Sequence, residues 1–269
     1  MRTRAIEFLK QINSMPISFG MRHYQIFGDS SVALKDKALV SPESWDELRD
    51  NHPFFSIAAD REGWLAASEL EVFKDGQDAG LKDRAREIAE FLKQEEIIKI
   101  FSVGVGGAAL EYQLKKLLPS LTVICSDYSK TTVERLQRVF TESDEIIQFD
   151  IQNGDWKEVT QKYLGNNSLV LIYRIDASFS DDDWRAIFSR MANNGVSSIL
   201  VIPTGVLTIV SIYNRKKREL KWFLTRTKTI FCGYLRTKAR FQQQWRGLYK
   251  EKGFVFGGLK SFYLENLSK

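Results

Sequence analysis

The sequence predicts an α/β protein: an open, mostly parallel sheet with helices on both faces, preceded by a helical N-terminal region. Three observations lead there. From about residue 81 onward, apolar β-rich runs alternate with segments of helical period, a pattern that argues for a parallel sheet covered on both sides. One of those runs breaks at Gly104-Val105-Gly106-Gly107 and passes straight into a helix pattern. The last two strand-like runs, Gly253–Phe256 and Leu259–Leu264, are separated only by Gly257-Gly258. So short a connection cannot cross over to a parallel neighbour, so at least one of these strands must be antiparallel.

In chain order, Ile6, Leu9 and Ile12 fall near one face of a short helix, and Ser44 with Glu47 has the spacing of a capping box. Met1 to about Gly80 is therefore read as helices and loops, a cap over the substrate side of a main domain at 81–269. Leu81, Ala85, Ile88, Ala89 and Leu92 form an apolar helical stripe leading into the strand Ile97–Val103. A helix with Leu110, Leu114, Leu117 and Leu118 stops at Pro119, and Leu121–Cys125 is the next buried run, with Asp127 just past its end. Ser129 is placed to cap a helix carrying Val133, Leu136 and Phe140. Glu145–Phe149 is a strand ending at Asp150, and Asp155, with Glu158 three residues on, starts another helix. Ser168–Tyr173 is a strand. Ser180 then caps a helix with Trp184, Ile187, Phe188 and Met191, and Ser197–Ile202 is a further strand. The acidic run Asp181-Asp182-Asp183 sits at that helix start, where carboxylates favour the helix dipole, so capping explains it better than a metal.

The 269 residues are 43% hydrophobic and 27% charged, which places the chain among ordinary globular proteins rather than disordered or fibrous ones. Cys125 and Cys232 fit no zinc pattern, and Cys125 falls in a buried strand, which points to a reducing, cytoplasmic setting. The first residues mix charges among apolar side chains, unlike a signal peptide. Gly195–Tyr213 is uncharged and long enough to be weighed as a membrane span, but Pro203 and Gly205 interrupt it. A buried strand, a turn and a helix start account for it better.

The glycine turn carries the first functional signal. Glycines there let the backbone approach a ligand with no Cβ in the way, and the following helix N-terminus favours an anionic group. Asp127, at the tip of the next strand, is placed to accept hydrogen bonds from both hydroxyls of a ribose. The arrangement reads as a site for an adenosine-containing cofactor. Gly104, Gly106 and Ala109 match the dinucleotide fingerprint G-x-G-x-x-A, which would imply nicotinamide chemistry. A dinucleotide domain is usually followed by a second catalytic domain, however, and little sequence remains here to build one.

Roughly Lys82–Asn266 instead resembles the class I S-adenosylmethionine-dependent methyltransferases. IFSVGVGG is similar to their glycine-rich first motif, VICSD to their acidic second strand end, and IIQFDI to their third. SLVLIYRIDASFSDDDWRAIFSRM resembles their fourth strand and following helix, and KGFVFGGLKSFYLEN their final hairpin. The resemblance implies a Rossmann-like, seven-stranded, mostly parallel sheet with an antiparallel last strand, and S-adenosyl-L-methionine as cofactor. It implies that Gly104, Gly106 and Gly107 cradle the methionine part, that Asp127 holds the ribose hydroxyls with Tyr128 also among the cofactor-binding residues, and that Asp150, with the backbone of Ile151, meets the adenine edge. Tyr173 and Arg174 would line the site at the fourth strand end. Two positions depart from the pattern. Ser102 stands where an acidic residue is usual near the cofactor's cationic end, and Ala108 where a third glycine is common. The serine leaves open a non-catalytic relative.

The second signal is a basic insertion at about 206–250. Arg215-Lys216-Lys217-Arg218, Lys221, Arg226, Lys228, Arg236, Lys238, Arg240 and Arg246 are opposed in sequence by one acid, Glu219, while the whole chain is only +5. Aromatics from Trp222 to Tyr249 are interleaved. The imbalance points to an anionic partner. A phosphorylated or lipid-linked glycan or small molecule is ranked first, because the apolar Val206–Tyr213 segment adjoins the cations; peripheral contact with a membrane surface fits the same pattern. The GYLRTKARF stretch also resembles methyltransferases of bacterial glycan assembly. RNA is the runner-up acceptor. For a hydroxyl acceptor a base is needed. His52, in the loop-like Asn51-His52-Pro53-Phe54-Phe55, and Asp176, just after the fourth strand, are the candidates.

Overall fold

The computed structural model describes residues 17–25, 57–69, 80–227, 229–256 and 259–268. In chain order the elements are β1 (Gly20–Gln25), α1 (Arg61–Glu69), α2 (Leu81–Gln94), β2 (Lys99–Val103), α3 (Ala109–Leu117), β3 (Thr122–Asp127), α4 (Lys130–Val139) and β4 (Glu145–Gln148). There follow α5 (Trp156–Tyr163), β5 (Ser168–Tyr173), a 3-10 turn (Asp176–Ser178), α6 (Asp181–Asn193), β6 (Ser198–Ile202), β7 (Val206–Leu207) and α7 (Ile209–Leu224). The chain then continues through β8 (Ile230–Thr237), α8 (Lys238–Trp245), β9 (Tyr249–Glu251), β10 (Phe254–Phe256) and β11 (Leu259–Asn266).

The main sheet runs β4-β3-β2-β5-β6-β11-β10, with β9 also paired on β11. Neighbours from β4 to β6 are parallel, and β11 is antiparallel to β6 and to β10, as the two-glycine connection required. The period-2 pleat divides the apolar residues between two cores. Ile100, Val123, Leu169, Leu171 and Leu200 pack with α1 to α4 on one face, and Phe101, Ile124, Val170, Ile172 and Ile199 with α5, α6 and α8 on the other. Every strand of this central stretch is apolar on both sides because both sides are covered.

The helix starts follow their side chains. Ser129 Oγ accepts from Thr132 N at 3.1 Å, and Asp155 accepts from the backbone N–H groups of Lys157 and Glu158. Ser180 and Asp183 close a capping box, with Ser180 N donating to Asp183 Oδ2 at 2.9 Å. Replacing such a cap with alanine typically costs about 1 kcal/mol. Ser44 and Glu47 lie outside the described residues.

A second sheet, β1-β8-β7, adds a strand to the N-terminal region read from the sequence as helices and loops. β1 is antiparallel to β8, pairing Met21 with Leu235 and Arg22 with Tyr234, and β7 is parallel to β8. Met21, Leu207 and Leu235 form its small apolar core, with Ile212 of α7 against them. From Gly20 to Tyr24 of β1, Met21 and His23 are buried, and the partner strand lies far along the chain, so no local hairpin pattern announces it.

Candidate functional site at the glycine turn

The turn sits at the carboxyl ends of β2 and β3, near the middle of the main sheet, where open α/β sheets bind ligands. Gly104 and Gly106 adopt φ of +68° and +57°. A Cβ on Gly104 would come within 2.7 Å of Ile175 Cγ2, so the first glycine is required twice over. Gly107 faces open space, with no atom within 4 Å of the place its Cβ would occupy. Its carbonyl accepts from Trp64 Nε1 at 2.9 Å, which ties α1 to the turn. Ala108 holds φ of +55° without being a glycine, a strained conformation for a residue with a Cβ.

Asp127 closes β3 and is almost fully buried. Its Oδ2 accepts from Gly106 N at 3.1 Å and its Oδ1 from Ser129 N at 3.0 Å. Two backbone donors thus fix the carboxylate against the turn. Tyr128 follows it, its carbonyl accepting from Gln148 Nε2. Asp150 is engaged by its own turn: Oδ1 accepts from Gln152 N and Oδ2 from Asn153 Nδ2, both at 2.8 Å. Ile151 is buried in the second core, and its carbonyl accepts from Trp156 Nε1. At the end of β5, the Tyr173 hydroxyl accepts from Arg84 Nη1 at 3.0 Å. Arg174 takes φ of +59°, with its N–H on the Ile202 carbonyl.

Asp176 is fully enclosed rather than facing an open pocket. Its Oδ1 accepts from Thr204 N at 2.5 Å, while Oδ2 has no hydrogen-bond partner among the described residues. Burial pushes its carboxyl above the ordinary range, against the lowering effect of Thr204 and Arg236. It joins the ends of β5 and β6 as the structure stands. His52 lies outside the described residues.

Glu111, in the first turn of α3, is the residue that the sequence reading missed. Ser102 Oγ donates to its Oε1 at 2.6 Å, and both side chains are buried. Burial raises the Glu111 carboxyl to about 7, with Ser102 pulling it down and Asp127 pushing it further up. A carboxyl group therefore does stand beside Ser102, contributed by the helix instead of the strand. Glu111 lies at i, i+3 and i+7 with Leu114 and Leu118, on the apolar stripe, and a carboxylate in that position is the signal that could have revealed it.

A cavity of about 390 Å³ opens elsewhere, between β1, β8 and the start of α6, and no residue of the glycine turn lines it. No family model matches the chain, and no curated protein does. Solved structures do. A putative O-methyltransferase from Nostoc punctiforme PCC 73102 superimposes with a TM-score of 0.55 at 12% identity, over 87% of this chain and 64% of that one. The match thus spans less than two thirds of that protein's length. Human N-acetylserotonin methyltransferase, solved in complex with SAM, gives a TM-score of 0.50 at 13% identity, over 99% of this chain and 84% of that one. The strand order and these two likenesses together show that the chain has the Rossmann-like fold of the methyltransferases.

Proposed function

We propose that the chain is a methyltransferase using S-adenosyl-L-methionine, acting on a hydroxyl of a phosphorylated or lipid-linked glycan or small molecule. The observation that carries the cofactor reading is the Asp127 carboxylate, held by the Gly106 and Ser129 N–H groups beside the open flank of Gly107. That donor set fits an adenosyl group: a carboxylate for vicinal hydroxyls, and glycine backbone free of side chains. The bound cofactor supplies an electrophilic methyl group on a sulfonium, and an in-line transfer asks mainly for alignment of the acceptor.

In this reading Gly104 and Gly106 allow the close backbone approach, and Asp127 orients the ribose with Tyr128 beside it. Ile151 borders the adenine side, with Asp150 shaping the turn that presents it. Tyr173, steadied by Arg84, and Arg174 border the acceptor side. Glu111 and Ser102 place a titratable carboxyl behind the turn. The phosphate-bearing acceptor is supported by Lys217 and Lys221 on α7, which make no ion pair among the described residues.

Titration calorimetry with S-adenosylmethionine, its demethylated product and NAD tests the reading. Micromolar binding of the first two, weakened about tenfold to a hundredfold in Asp127→Ala, is the expected result, since hydrogen bonds to a charged group contribute about 1.5–3 kcal/mol. Tighter binding of NAD would overturn it.

A further inference from the structure

We infer that the outward face of α7 is a docking surface for an anionic lipid bilayer. This helix of 16 residues has no buried residue, although it is joined to the body along one side. That inner side is defined by Ile212, packed on the small sheet's core, and by Arg215, whose Nη1 lies 3.2 Å from His23 Nδ1. Tyr213, Leu220 and Leu224 recur at i, i+7 and i+11 and so share one stripe, turned away from Ile212 and Arg215. They are 67%, 58% and 71% exposed; Phe223, 80% exposed, lies roughly 80° round the helix from them, beyond Lys216. Scattered surface leucines are ordinary, but three large apolar side chains in one exposed stripe of a helix are not.

Cations flank this stripe. Lys216 pairs with Glu219 at 2.7 Å, whereas Lys217 and Lys221 have no acid against them among the described residues. An apolar stripe with lysines at its margins suits the boundary between lipid head groups and acyl chains: the rings and leucines enter, and the lysine stems lie along the apolar surface while their ammonium groups stay at the phosphates. A second copy of the chain fits less well, because a two-fold interface would set Lys216, Lys217 and Lys221 against themselves. No helix among the described residues is long and apolar enough to cross a membrane, so the contact would be peripheral. The inference does not depend on the cofactor reading, and bilayer binding needs no cofactor, so either can fail alone.

Sedimentation of the full chain with vesicles containing roughly a third phosphatidylglycerol, against neutral phosphatidylcholine vesicles, tests it. Binding should favour the anionic vesicles and weaken as salt rises. The triple variant Lys216→Gln, Lys217→Gln, Lys221→Gln should lose about a hundredfold in affinity. Phe223→Ser with Leu224→Ser should lose about tenfold or more, with both variants keeping the parent's urea-unfolding midpoint. No association with anionic vesicles at low salt, or association that both variants retain, overturns the inference. A concentration-dependent dimer abolished by Phe223→Ser with Leu224→Ser would assign the face to a second copy and also overturn it. So would a shift of single-stranded RNA without vesicle binding.

Discussion

The two halves of the basic segment have opposite fates. In the β8–α8 half, Arg236 is buried and its Nε donates to Asp181 at 2.6 Å, while its other nitrogens reach the carbonyls of Asp176 and Phe179. Arg240 joins the same carboxylate from α8. Burial opposes ionisation of Asp181, yet the two guanidiniums prevail and hold its carboxyl below the usual range. In the α7 half Arg215 turns inward to His23, and the other cations stay at the surface with one acid among them. A run of charge that is uniform in sequence is therefore half structural and half available. What separates the halves is whether the fold brings in an acid from a distant element.

The largest test of that contrast is Arg236→Ala. It leaves Asp181 to Arg240 and Gln244 and takes a donor from the carbonyls of Asp176 and Phe179, a loss of about 3 kcal/mol for under-satisfied groups in a mostly buried site. Urea unfolding should show that loss, and an undiminished midpoint would mean that the pair is incidental to stability.

Glu111 sharpens the same point, being a buried carboxyl with no cation bonded to it among the described residues. Its folded value of about 7 lies above the ordinary 4.5, so the folded state holds the proton longer than the unfolded one. Stability associated with this group is full below pH 4.5 and declines as pH rises through 7. Glu111→Gln should remove that decline and gain up to about 3 kcal/mol at pH 8 relative to the parent, measured by unfolding across pH.

His23 probes how α7 is tied down. Burial first, then Arg215 and Arg218, push its imidazole from 6.5 to about 4. The sign is opposite to that of Glu111: stability is full above pH 6.5 and is lost as pH falls toward 4. His23→Gln should flatten that acid limb by about 2 kcal/mol.

The smallest effect belongs to the outer cations. Replacing Lys216, Lys217 and Lys221 with Gln should change folding stability by less than about 0.5 kcal/mol. A larger loss would show that these lysines hold the fold after all.

What could be read from the sequence was local. The strands of the main sheet, the glycine turn, Asp127 at its strand end, and the caps at Ser129, Asp155 and Ser180 each depend on residues within a few positions of one another. The terminal antiparallel pair was legible for the same reason: two glycines leave the chain no other route. What escaped depended on distance. Asp181 and Arg236 are 55 positions apart, so the basic segment looked opposed by Glu219 alone. β1 pairs with β8, far along the chain. Glu111 is one of several charges on its helix pattern, and what distinguishes it is Ser102, nine positions earlier, against it. Asp176 followed its strand as expected, but its enclosure depends on the packing of β8, where a Cβ on Gly233 would strike the Ala177 carbonyl.

The small sheet also sets a timetable. Phe19 N reaches Thr237 Oγ1 across 218 positions of chain. A ribosome adding about 5–20 residues per second would leave β1 waiting on the order of ten to forty seconds for β8 to emerge. During that interval Met21 has no Leu235 to cover it, and the backbone groups of β1 have no ladder. Contacts closed so late in synthesis slow folding and leave an edge open to foreign strands. The same pairing that joins β1 to β8 thus leaves β1 without its partner for most of synthesis.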